Sequence, residues 1–312
     1  MSLLLELQEN LRDTSAAIAK HEQAMSKSRS PSLAAGLRSL QARQKQLESQ
    51  FVAAAKRVGI DVCSYRIFTE DGADSLRAIA LCNALEAFQN AFSVVHDATR
   101  RGPRTKASLA PETKDESEFN FGYAFSGSVG IVLTLSNEQM VLDSALDTTM
   151  DSVMGLARSQ TTEDVLAQSR FLGAAAVRAM HQWATAHIAH GIGVDLKWIR
   201  GNEEKSRLML QLPQLKALAA TLFDATEDVT DTVTLRGVLV GTETETSRRF
   251  HFKTESNEDL RGAYSPSAIS QARPASTPAR YEATFERKLK KVMATDAELS
   301  ATYYLVKLTP IT

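Results

Sequence analysis

The chain has 312 residues, 43% of them hydrophobic and 23% charged, with a formal net charge of −1. This is the composition of an ordinary globular protein of two or three structural units, and it excludes collagen-like, disulfide-stapled and strongly basic chains. Cys63 and Cys82 form no close metal or redox spacing, so a reducing compartment, the cytoplasm, is expected, with both thiols buried.

No apolar run approaches the roughly 18 residues of a membrane span. The opening "MSLLLELQENLRD" has neither a basic lead nor a small-residue cleavage site, so no signal peptide is expected. Charge is unevenly spread. Residues 1–57 carry nine Lys/Arg against five Asp/Glu, residues 236–312 carry twelve against nine, and the middle is acidic. Mildly basic ends suit an acidic partner, yet fall well short of the basic stripe of a dedicated nucleic-acid binder.

In chain order, Leu4, Leu7, Leu11, Thr14, Ile18, His21 and Met25 are spaced alternately three and four apart. After "SKSRSPS" the rhythm resumes at Leu33, Leu37, Leu40, Gln44, Leu47, Phe51, Ala54 and Val58. Two heptad runs split by a turn predict an antiparallel helical hairpin, a short coiled coil, over 1–58. Ser30 is the expected cap and Pro31 suits the first turn. Such a hairpin buries little alone and should pack on the body or on a second copy. Polar Thr14, His21 and Gln44 in the seam either fix register or mark its wet edge.

Residues 59–223 read as one mixed α+β domain. "DVCSYRIF" predicts a strand, and Leu81, Leu85, Phe88, Phe92 and Val95 mark a helix from about Ser75. "RRGPRTKASLAPETKDESE" follows as a long polar loop, either mobile or ordered by a partner, with Arg100, Arg101, Arg104 and Lys106 expected in solvent. Phe119, Phe121, Tyr123 and Phe125 alternate with smaller residues, and so do Val129, Ile131, Leu133 and Leu135 beyond "SGS". That period of two predicts a β-hairpin, not a phosphate loop or nucleophile elbow, either of which must lead into a helix. Helices are predicted over about 139–159 and 163–190, a hairpin over 194–212 around Gly201-Asn202, and a helix over 213–223. "DATEDVTD" reads as an acidic linker.

From residue 232 the texture changes to short alternating strands, "TVTLRGVLVG", "RRFHFK", "DLRG", "YEATFER" and "TYYLVKL". Five short strands predict a small β-barrel of the OB or SH3-like sort over 232–312, with Gly237 and Gly241 at bends and "SPSAISQARPASTP" as a flexible loop. With Phe250 and Phe252 inward, Arg249, His251 and Lys253 project outward. Arg287, Lys288, Lys290 and Lys291 could extend that surface into a groove for nucleic-acid phosphates. The plain reading is a solvated strand face.

Chemistry is faintly marked. His187 and His190 share a helix face and, with Asp195, are the weak candidates for a metal-dependent hydrolase or nuclease. Asp143, Asp147 and Asp151 fall four apart and read as a solvated stripe, without the rhythm of a calcium loop. No cofactor, metal site or nucleotide fingerprint is expected. The favoured function is therefore a non-enzymatic interaction or adaptor protein. It would self-associate or bind a partner protein through the hairpin and take a ligand, peptide or nucleic acid on the barrel, away from any membrane. As an architecture it resembles accessory subunits of bacterial multi-protein systems, antiviral (phage-defence) operons among them.

Overall fold

The computed structural model describes residues 2–28, 30–69, 76–125, 129–137, 145–200, 203–243, 248–272 and 275–311. The "SGS" turn, the Gly201-Asn202 turn, Asp143 and the expected helix starts at Ser75 and Gln139 lie outside the described residues. The chain is mixed α+β with two sheets. It divides into two compact units, Met1–Ala225 and Thr226–Thr312, so the hairpin and the α+β body are one unit instead of two.

In the first unit, α1 (Ser2–Lys27) and α2 (Pro31–Arg57) pack antiparallel. Pro31 opens α2, but Ser30 makes no side-chain cap bond. Its hydroxyl meets Ser32 instead. The polar seam residues separate. Thr14 is buried, while the His21 ring lies against Gly36, where an added Cβ would sit 3.2 Å from its Nε2. Leu7, Leu11, Leu47, Phe51 and Ala54 form one apolar cluster with Val62, Tyr123 and Val132. The hairpin thus covers one face of the sheet.

That sheet holds β1 (Ile60–Thr69), β2 (Asn120–Phe125), β3 (Val129–Ser136), β4 (Ile192–Arg200) and β5 (Glu203–Leu210) in the order β2-β3-β1-β4-β5, every pair antiparallel. Alternation along β1 sends Val62 toward the hairpin, and Cys63, Tyr65 and Ile67 to the other face. There lie α3 (Ala78–Arg101), α5 (Ala145–Ala157) and α6 (Thr162–Ala189), linked to it by ring contacts such as Tyr65–Phe88 and Phe92–Trp198. Among the described residues α3 alone is long and apolar enough to cross a membrane. It is a core helix, with Phe88, Phe92 and Val95 fully buried. Cys63 is buried as expected, but Cys82, on α3, is exposed.

Three local expectations are corrected. The aromatics of 119–125 do not share one face, because a bulge at Gly122 interrupts the alternation. Phe119 packs on Phe88 and Phe92, Tyr123 packs on Phe51 across the sheet, and Phe121 is exposed. The polar segment after α3 is docked rather than free. Its helix α4 (Pro111–Ser117) bonds to α3 through Thr113 to Asp97 and Ser117 to Ser93, while Arg100 pairs with Glu116. Arg101 and Arg104 both reach buried Asp97 at 3.7 Å. Asp147 is no solvated residue either. It is buried, accepting from Trp198 Nε1 at 2.8 Å and pairing with Arg200.

The close of α4's approach is set by Gly173. This residue breaks α6 at φ 77°, and the backbone of Arg104 fills the notch, its carbonyl accepting from Ala175 N at 3.0 Å. A Cβ at Gly173 would stand 2.2 Å from that carbonyl oxygen. The capping box of Thr161 and Asp164 starts the same helix where the sequence predicts it. The unit ends with α7 (Leu212–Asp224).

The second unit contains β6 (Thr226–Glu243), β7 (Arg249–Thr254), β8 (Asp259–Tyr264), a single turn of helix α8 (Ile269–Ala272), β9 (Ala279–Val292) and β10 (Glu298–Pro310). The strands form a closed barrel in the order β10-β8-β7-β6-β9, with β9 bonded back to β10. Phe250, Phe252, Phe285 and Leu305 fill its core. The expected acidic linker is the start of β6, and it pairs with the basic stretch of β9: Glu227 faces Lys291, Asp228 faces Lys290 and Asp231 faces Arg287. "SPSAISQARPASTP" is not simply a loop, since Ala268 and Ala272 are buried in the barrel core and Gln271 Oε1 accepts from Leu308 N. Gly237 is a point of close approach, where a Cβ would meet Lys253 O at 2.1 Å, and Gly241 follows a bulge.

Three outcomes follow from this packing. Phe51→Ala should cost about 3–5 kcal/mol in urea unfolding. A chain starting at Gly59 should aggregate, since Val62, Tyr123 and Val132 lose their cover; a soluble, cooperatively folding truncation would contradict the layer assignment. Gly173→Ala should cost at least about 2 kcal/mol, because strain at positive φ adds to the clash with Arg104. A melting temperature equal to wild type would show that the notch is not needed.

Candidate functional site

The histidines of α6 are drawn apart. His187 is fully buried. Trp183 Nε1 donates to Tyr65 Oη at 2.8 Å, and the Tyr65 hydroxyl meets His187 Nε2 at 2.6 Å. The Tyr65 hydroxyl also stands 3.5 Å from the Ala84 carbonyl oxygen. Nδ1 of His187 is buried and makes no hydrogen bond to the described residues. Burial pushes the His187 pKa down to about 4. His190 instead meets the Asn83 amide at 3.1 Å, and Asp195 is held by both arms of the Arg207 guanidinium at 2.9 and 3.0 Å. Among the described residues no three His, Cys, Asp or Glu side chains are placed to hold a metal ion. His187, His190 and Asp195 do not form a site.

The neutral, buried state of His187 has a pH signature. Its folded pKa lies below the unfolded value of about 6.5, so between about pH 6.5 and 4 the unfolded chain binds a proton that the folded chain does not. Stability should fall on acidification through that window by ~3 kcal/mol from this group. His187→Gln should be less stable at pH 7 yet flatter between pH 7 and 4.5. An unchanged slope in urea titrations would refute the assignment.

The predicted cationic surface of the barrel is split by the strand pairing. On β9, Arg287 donates twice to Asp231, at 2.7 and 3.0 Å, and this pair holds the Asp231 carboxyl below its usual range. Lys291 lies 3.6 Å from Asp296 and 3.9 Å from Glu298. Lys288 and Lys290 are exposed, and Lys288 Nζ stands over the Tyr304 ring, 5.0 Å from its centroid. Arg287 and Lys291 therefore serve the barrel's own acids.

On β7 the alternation works as the sequence predicts. Phe250 and Phe252 are buried, and Arg249, His251 and Lys253 face outward. β8 adds Arg261, which lies directly opposite His251 in the ladder and is absent from the sequence-derived list. The signal for it is the alternation of "DLRGAY", with Leu260 and Tyr264 inward. His251 Nε2 lies 2.7 Å from Asp259, and this contact is the main reason the Asp259 carboxyl titrates low. Among the described residues neither Arg249 nor Arg261 is in an ion pair.

These residues border an open depression of about 710 Å³ on the barrel surface, lined by Gly241, Glu243, Arg249, His251, Arg261 and Thr302 among others. Gly241 leaves its floor clear, with nothing within 4 Å of where a Cβ would stand. Two guanidinium groups bordering an open concavity are equipped to bind an anion.

No known protein family matches the chain, and neither a curated protein nor a solved structure is significantly similar to it.

The division of the cations has a direct test. Arg287→Ala should lower stability by about 1 kcal/mol, since a partly exposed pair contributes modestly. Arg249→Ala should leave stability within about 0.5 kcal/mol of wild type. Equal effects in thermal or urea unfolding would show that the two arginines are not differently employed.

Proposed function

We propose that the protein is a non-catalytic binding subunit whose C-terminal barrel is of the OB type and takes an anionic ligand in the β7–β8 depression. The strand order supports the fold reading. Numbered within the barrel, the ring runs 1-2-3-5-4, strands 3 and 5 are parallel, and a helical turn lies between strands 3 and 4. In barrels of this type the face of strands 2 and 3 is the usual ligand surface, and here that face carries Arg249, His251 and Arg261.

The observation that carries the proposal is that Arg249 and Arg261 border an open depression and, among the described residues, neither is drawn into a salt bridge by the nearby Glu243 or Asp259. The N-terminal hairpin supports a further role in self-association or partner binding. Leu3 and Leu5 on α1 are about half exposed, at 48% and 57%, outside the cluster that fixes the hairpin to the sheet. An accessory subunit of a cytoplasmic bacterial assembly, antiviral systems included, fits these two surfaces.

The anionic-ligand reading is tested with polyphosphate as the probe. The full-length protein should bind it with an affinity that falls as salt rises. Arg249→Glu with Arg261→Glu should abolish binding at physiological salt, while Arg287→Ala should leave it intact. Loss of binding only in the Arg287 variant would move the site to β9.

A further inference from the structure

Resting on the anionic-ligand reading, we propose that the ligand is single-stranded nucleic acid. Its backbone would cross the strands along one row of the barrel, with one base stacked on Tyr304. The row is set by ladder register. Gly241 on β6 pairs with His251 on β7, and His251 pairs with Arg261 on β8. Arg261 and Thr302 each stand one residue before the Tyr303–Gly262 pair that joins β8 to β10, and both line the depression. Thr302 pairs with Lys288 on β9, and Lys288 with Thr230 on β6.

Every member of this row faces outward, and none is acidic. Arg261 and Lys288 are two strands apart, so their backbones are about 10 Å apart. The acids Glu243 and Glu286 lie in the neighbouring row, which runs Glu243, Arg249, Ala263, Tyr304, Glu286. A polyanion is thus directed onto this row, in which Asp259 from the row beyond holds His251, with Arg249 reaching it from the side.

Tyr304 makes the row specific for nucleic acid. Tyr303 turns inward against Phe285, and Leu305 is buried, so the intervening Tyr304 faces outward. It is only half-buried, its neighbour on β8 is the small Ala263, and Lys288 already stands over its ring. A base could stack there while Lys288 moves to the adjacent phosphate. Duplex bases are stacked on each other and cannot use a single surface ring, whereas unpaired bases can. An extended peptide is disfavoured because ring closure leaves β8 and β10 no free edge for strand addition.

The test uses full-length protein and a dye-labelled thymidine oligonucleotide of about 15 nucleotides, with a duplex of equal length, polyphosphate and poly-glutamate as competitors. The oligonucleotide should bind more tightly than any competitor. Tyr304→Leu should weaken it about ten- to hundred-fold while leaving polyphosphate affinity unchanged, and Tyr304→Phe should restore it. Lys288→Ala should lower the log–log salt slope by about 0.7. Thermal unfolding of each variant separates loss of fold from loss of binding. If oligonucleotide and polyphosphate bind alike and Tyr304→Leu has no effect, the nucleic-acid assignment falls and the anionic site stands. Preference for duplex or poly-glutamate overturns the assignment as well. Absence of salt-dependent binding to any probe overturns both readings.

Discussion

Register between β6 and β9 is the constraint on which the second unit depends. It runs from Thr226 opposite Val292 to Leu239 opposite Ala279, and it places Asp231 against Arg287 and Asp228 against Lys290. Opposite charges directly across a ladder favour that pairing over its neighbours. The same register turns Phe285 into the core and Lys288 out. β10 then adds to β9 with Thr302 opposite Lys288 and Tyr303 opposite Arg287, and three residues of parallel pairing to β8 close the ring. A slip of one residue would exchange the two faces of β9, burying Lys288 and expelling Phe285. The ion pairs that fix this edge of the barrel and the outward placement of Lys288 are therefore products of one alignment.

Close approach at glycines makes that closure possible. Gly262 sits where β8 meets β10, and a Cβ there would lie 2.0 Å from Tyr303 O. Gly237 does the same for β6 and β7. These positions let a ring of only five strands turn sharply enough to enclose Phe250, Phe252 and Phe285. The first unit solves a different problem, a flat sheet with two faces to cover. β1 lies at its centre, with Val62 under the helical hairpin and Tyr65 under α3 and α6. The Trp183–Tyr65–His187 chain satisfies the indole N–H, the phenol and the imidazole Nε2 that this second layer buries.

Much of the fold was legible because its signals are local. The heptad runs of α1 and α2, the cap of α6 at Thr161 and the alternation of "RRFHFK" depend only on residues within a few positions of each other. The failures have a common physical cause, a partner far away in sequence. "DATEDVTD" reads as a linker and "RKLKK" as a free basic patch, until each is seen as the cross-strand partner of the other. Asp147 reads as one of a solvated stripe because Trp198 and Arg200 lie some fifty residues further along the chain. The polar stretch after α3 reads as mobile or ordered by a partner because its anchor, the notch at Gly173, belongs to a different helix.

The candidate site divides in the same way. By itself the sequence determined that Arg249, His251 and Lys253 point away from the barrel core, since a period of two with Phe250 and Phe252 inward admits no other arrangement. The helical period also predicted that His187 and His190 share a helix face. Only the tertiary structure decided that His187 is buried against Tyr65 while His190, just past the end of α6, is half-buried beside Asn83. Only the ladder registers brought Arg261 beside His251 and carried the row on to Lys288, because strand neighbours are chosen by hydrogen bonding across the sheet and not by distance along the chain.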